Sequence, residues 1–135
     1  MPIVVWNDSY SVSVRQCDEQ HKTLFAIINE LFDAMRVGKG RDAVGPTVDK
    51  LAGYTVTHFR AEEQLMRSAK YPDLVAHLAL HKKFEDEVGK LKKDTDLNNS
   101  ANSIAVLEFL KNWLSDHIMK VDRQYGRHLN EKGVY

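Results

Sequence analysis

Cysteine is almost absent from this sequence, neither charge is in excess, and no long apolar run occurs. Cys17 has no partner within the chain, which excludes an intrachain disulfide and fits a reducing, cytoplasmic setting. Lys plus Arg and Asp plus Glu each number 19, so the formal net charge is zero. Nucleic acids and anionic membranes both call for a basic surface, so this balance argues against either partner. The opening MPIVVWNDSYSV lacks a basic n-region and an extended h-region, and no signal peptide or membrane-inserted helix is expected. No repeat or low-complexity segment appears. The 135 residues are expected to form one domain (1–135), with a monomer as the default state.

What is present is helical periodicity. His21, Leu24, Phe25, Ile28, Leu31, Phe32 and Met35 keep helical spacing over 18–37, with Asp18 as the expected N-cap and Gly38 as the stop. A second stripe, Val44, Val48, Leu51, Thr55, His58, Glu62 and Leu65, predicts a helix over 42–68, with Pro46 early in it. After the break at Tyr71-Pro72, Asp73 caps a predicted helix over 73–92 carrying Leu74, His77, His81, Phe84, Val88 and Leu91. The polar stretch KKDTDLNNSAN (92–102) reads as a loop. A fourth helix is expected over 102–121, followed by a tail, 122–135. Residues 1–17 are expected to be an extended arm, with Trp6 packing across the helices. The fold class is therefore all-α, an up-down-up-down four-helix bundle.

The polar residues fall on the apolar stripes. His58 and Glu62, like His77 and His81, are four apart and share a helix face. Five of the six histidines belong to one set with two carboxylates: His21, His58, Glu62, His77, His81, His117 and Asp122. Burying these groups unpaired costs several kcal/mol (about 1–3 per group), and a metal compensates by taking imidazole nitrogen and carboxylate oxygen together. His117 and Asp122 are five apart, roughly 140° around a regular helix, so they reach one cavity only if the helix is distorted, as by a π-bulge between Ile118 and Asp122. Seven donors exceed one tetrahedral zinc and are too nitrogen-rich for calcium or magnesium. Two six-coordinate metals bridged by Glu62 and Asp122, with one solvent-derived bridge, use them and leave one position open.

On these residues the chain resembles the hemerythrin family, in its bacterial single-domain form, over essentially its whole length. The likeness is carried by the Trp6 region, DEQHKTLFAIINEL (18–31), HFRAEEQLM (58–66), YPDLVAHLALH (71–81) and HIMKVD (117–122). The resemblance implies two Fe ions in an oxo- or hydroxo-bridged, non-haem di-iron centre that binds O2 reversibly. It implies that His77, His81 and His117 hold one iron, that His21 and His58 hold the other, and that Glu62 and Asp122 bridge. The ligand is then O2, for storage, transport or delivery, with an O2-consuming protein as a further partner.

Leu24, Phe59, Trp113, Leu114 and Ile118 lie within a turn of these positions and are expected to line an apolar O2 pocket that excludes water, with Leu114 controlling access. They also read as ordinary core. Cys17 and Ser13 depart from the family, which often carries an aliphatic residue and a glycine there. Cys17 reads as a small buried hydrophobe and His128 as a surface or tail histidine. A sensing or scavenging module for O2, nitric oxide or redox state is the first alternative, a di-iron oxidase or peroxidase the second, and a dizinc hydrolase the last. Ferritin-like sites use more carboxylates than the two present here.

Overall fold

The computed structural model describes residues 3–96 and 103–135. It is an all-α, up-down-up-down bundle of four rods. The first three are α1 (Arg15–Arg36), α2 (Gly40–Ser68) and α3 (Leu74–Asp96). The fourth runs from α4 (Ser103–Trp113) through a π-helical segment (Leu114–Val121) into α5 (Asp122–Glu131). Helix α1 packs on α2 and α4, and α2 packs on α3, as short connections between antiparallel neighbours require. Cys17, His21, Leu24, Ile28 and Leu31 form the buried stripe of α1, and Val44, Val48, Leu51, Thr55, His58 and Glu62 that of α2. Both stripes alternate steps of four and three, the signature of a helix with one buried face.

Several boundaries differ from the sequence expectation. Helix α1 begins at Arg15, and its N-cap, Val14, makes no side-chain cap bond. Asp18 is therefore not the cap. Its carboxylate instead accepts from Ser11 Oγ at 2.6 Å and from Val12 N at 2.9 Å, tying the arm to the first turn. The arm is not extended throughout, because Asp8–Tyr10 form a 3₁₀ turn capped by Asn7. Trp6 packs on Tyr10 and Phe25, with Lys22 Nζ 5.2 Å from its ring, and lies against the apolar core of the bundle, which anchors the arm.

Pro46 lies inside α2, where its ring removes the N–H that would otherwise bond to the carbonyl of Asp42. Gly38 does end α1, at φ 77°, and Ser13 adopts φ 63°, a left-handed conformation that favours glycine. The KKDTD half of the expected loop is helical, since α3 continues to Asp96; the remainder, 97–102, lies outside the described residues. The expected tail is helical through Glu131. Gly126 in α5 meets the arm so closely that a Cβ there would stand 2.0 Å from the carbonyl oxygen of Val12.

Two apolar clusters bracket the centre of the bundle. One includes Leu24, Ile28, Leu51, Phe59, Phe84, Leu114 and Ile118, and the other Val12, Cys17, Met66, Tyr125 and Leu129. On α1 the order Cys17, His21, Leu24 steps from one cluster to the other, and the polar side chain lies between. No helix among the described residues is long and apolar enough to cross a membrane.

Candidate metal centre

All seven expected donors converge in that central layer, and none is more than 3% exposed. They resolve into two overlapping groups. Glu62, His77, His81, His117 and Asp122 form one, and His21, His58, Glu62 and Asp122 the other, with the donor atoms of each group within 4.8 Å of one another. Both carboxylates are shared. One group has three histidines and the other two.

The polar atoms point at common space rather than at one another. His117 Nε2 and His77 Nε2 stand 2.9 and 3.1 Å from Asp122 Oδ1, and His21 Nε2 is 3.2 Å from Oδ2. His58 Nε2 and His81 Nε2 are each 3.2 Å from Glu62 Oε1, and His21 Nε2 is 3.4 Å from Oε2. These approaches lack hydrogen-bond geometry for Nε2 of His21, His77, His81 and His117, for both Asp122 oxygens and for Glu62 Oε1. Each buried polar atom left so costs about 1–3 kcal/mol. A metal pair accepting from all of them removes that cost, so the residues present fit the group.

The helix of the fourth rod explains how Asp122 takes part. Its N–H bonds to the carbonyl of His117, a five-residue step, and the irregularity spans Leu114–Val121. It includes the predicted stretch and begins a turn earlier. Trp113 and Asp122 at its ends keep right-handed helical dihedrals, so the rod continues unbroken. A π-helix turns less per residue than an α-helix, which brings the fifth residue back onto the face of the first.

Neighbouring side chains set the rings, and of these Glu63, Gln20 and Tyr125 were not evident from the sequence. His81 Nδ1 lies 3.0 Å from Glu63 Oε2; a carboxylate only accepts, so Nδ1 carries the proton and Nε2 offers its lone pair. His58 Nδ1 pairs likewise with Gln20 Oε1 at 2.6 Å. Tyr125 donates its hydroxyl to Glu62 Oε2. Phe59 stacks on His81 at 3.8 Å and Trp113 on His117 at 3.9 Å. Leu24, Leu114 and Ile118 are buried in the adjoining cluster, with Trp113 packed against it. His128 is not a free tail residue, for its Nε2 lies 2.6 Å from the carbonyl oxygen of Ala69.

The electrostatics follow from burial and proximity. Burial opposes ionisation of Glu62, but His58 foremost, with the nearby imidazoles of His21 and His81, holds it well below the ordinary carboxylate range. Burial and Glu62 likewise oppose ionisation of Asp122, and His117 and His21 outweigh them, lowering it. Burial disfavours the His21 imidazolium, yet Asp122 and Glu62 raise it to about 9. Burial, then Glu62, pushes the Cys17 thiol far above its usual range, so it serves as core.

A groove of about 480 Å³ between α1 and α2 reaches His58, and a depression of about 210 Å³ reaches His117.

Comparison with known proteins bears on this geometry. The family model for the hemerythrin HHE cation binding domain matches residues 12–129. A bacteriohemerythrin of Methylococcus capsulatus is 34% identical over 127 residues, covering 93% of this chain and 96% of that protein. A hemerythrin-like protein of Naegleria gruberi is 34% identical over 120 residues, covering 89% and 88%. A crystal structure of wild-type hemerythrin superposes with a TM-score of 0.85 at 34% identity, covering 94% of this chain and 98% of that one.

Proposed function

The chain belongs to the hemerythrin family, and from that premise we propose that its buried donors hold two iron ions and bind O2 reversibly, for storage, transport or delivery. The carrying observation is the unequal pair of donor groups sharing both carboxylates. In this reading His77, His81 and His117 would hold one iron and His21 and His58 the other, with Glu62 and Asp122 shared between them. Iron would supply the electrons that O2 borrows while bound.

The chain's own residues do the rest. Glu63 and Gln20 orient the imidazoles of His81 and His58, and Tyr125 orients the carboxylate of Glu62. Leu24, Leu114 and Ile118, with Phe59 and Trp113, keep bulk water from the site, which favours release of O2 over oxidation of the metal. The role is one of binding rather than turnover, in a cytoplasmic monomer that passes O2 to a consuming partner.

Purified protein assayed for iron should contain two ions per chain. A peroxide-to-iron charge-transfer band should appear on aeration of the reduced protein and disappear on deoxygenation. Absence of iron, or irreversible oxidation with substrate turnover, rejects this function.

A further inference from the structure

Among the described residues, one buried polar atom without a partner belongs to none of the seven donors: the hydroxyl oxygen of Tyr54. Tyr54 stands one helical turn before His58 on α2, and its ring stacks on that imidazole at 5.0 Å with an interplanar angle of 17°. Phenylalanine would fill the same space and keep the same stacking. The hydroxyl adds only a desolvation cost unless something outside the chain accepts its hydrogen bond. The other buried tyrosine of the site, Tyr125, makes the contrast plain, since Glu62 accepts its proton.

Location narrows the acceptor. Tyr54 stacks on a histidine of the two-histidine group, the side where a bound metal would have fewer protein donors. Its hydroxyl is a phenol, which carries a proton at neutral pH and can donate it to an acceptor placed beside the ring. Tyr54 and His58 also line the groove between α1 and α2, together with Gln20, Thr23, Ala26 and Gly53, so the groove leads from solvent to this pair.

We propose that the Tyr54 hydroxyl donates a hydrogen bond to a small anionic ligand held at the two-histidine metal, beside His21 and His58. Tyr54 is thus a specificity-determining residue, favouring ligands that carry negative charge near its oxygen over neutral ones. This inference rests on the di-iron reading above.

The test compares iron-loaded wild type with Tyr54→Phe, using azide on the ferric protein and nitric oxide on the ferrous protein. The variant should keep its iron, lose about tenfold in azide affinity, and hold nitric oxide as before. The wild-type azide stretching band should shift in deuterated water, and the variant's should not. Equal azide affinities overturn the proposal and assign the hydroxyl to a bound water. An equal loss for azide and nitric oxide also overturns it, because the ring then acts only on the fold. A wild type that takes up no iron fails the di-iron reading itself, and this inference with it.

Discussion

Glu63 reaches His81 from the neighbouring helix, and its charge is what strengthens that imidazole as a donor. Glu63→Gln keeps the shape and an accepting oxygen but removes the charge. Losing such an outer partner typically costs 10–100-fold in metal affinity, and about tenfold is expected here by chelator competition. Unchanged affinity would show that the contact only packs. Leu114→Ala acts differently. A buried leucine truncated to alanine destabilises by about 2–5 kcal/mol, so the comparison belongs at a temperature where both proteins are folded. Autoxidation should then change more than iron content, and an unchanged rate with an unchanged O2 off-rate removes Leu114 from control of access.

Six of the donors were legible in the sequence because each sits on an apolar stripe, where a polar residue is conspicuous; Asp122 was off the stripe and legible only through its spacing from His117 and the resemblance. Gln20, Glu63, Tyr54 and Tyr125 were not. Each neighbours a donor along the chain, but the partners of Gln20 and Glu63 lie on other helices, and periodicity within one helix does not encode contacts between helices.

At the scale of elements, the spacing of His117 and Asp122 demanded an irregular helix, and the π segment supplies it. Its length, and the continuation through Glu131, were less legible because DRQYGRHLNE is strongly polar and carries its apolar face only at Tyr125 and Leu129. Helix α1 began early for a related reason: the carboxylate of Asp18 was already committed to Ser11 and Val12.

The π segment makes an unusual prediction. Lys120 is exposed, and its 3.9 Å pair with Asp116 contributes little. Deleting it leaves His117 and Asp122 four apart, as an ordinary α-helix requires, so the shortened protein should retain both irons. Inserting alanine after Lys120 instead sets them six apart, roughly 240° around a helix, and should lower iron content. The opposite pair of results would mean that the bulge does not position Asp122.

For the whole molecule, the site proposed to bind iron is also a buried ionic network, and the two roles respond oppositely to pH. Without metal, Glu62 and Asp122 ionise more readily than their ordinary values of 4.5 and 3.8. The stability they add is complete above those values and is lost as the pH falls through the lowered ones. His21, raised from 6.5 to about 9, adds stability that is complete below 6.5 and lost as the pH rises through 9. His81 shifts the same way, because Glu62 outweighs its burial. His117 shifts the other way, because burial wins there, and it offsets part of the trend. Metal-free protein should therefore be most stable between pH 4.5 and 6.5 and weaken toward 9. Iron requires neutral imidazoles and displaces their protons, so its binding strengthens over the same rise. The gap in Tm between iron-loaded and metal-free protein should widen from about pH 6 to about pH 9, as followed by circular dichroism. A gap that narrows, or a metal-free Tm that stays level across this range, would mean that the imidazoles and carboxylates do not hold one another in the absence of metal.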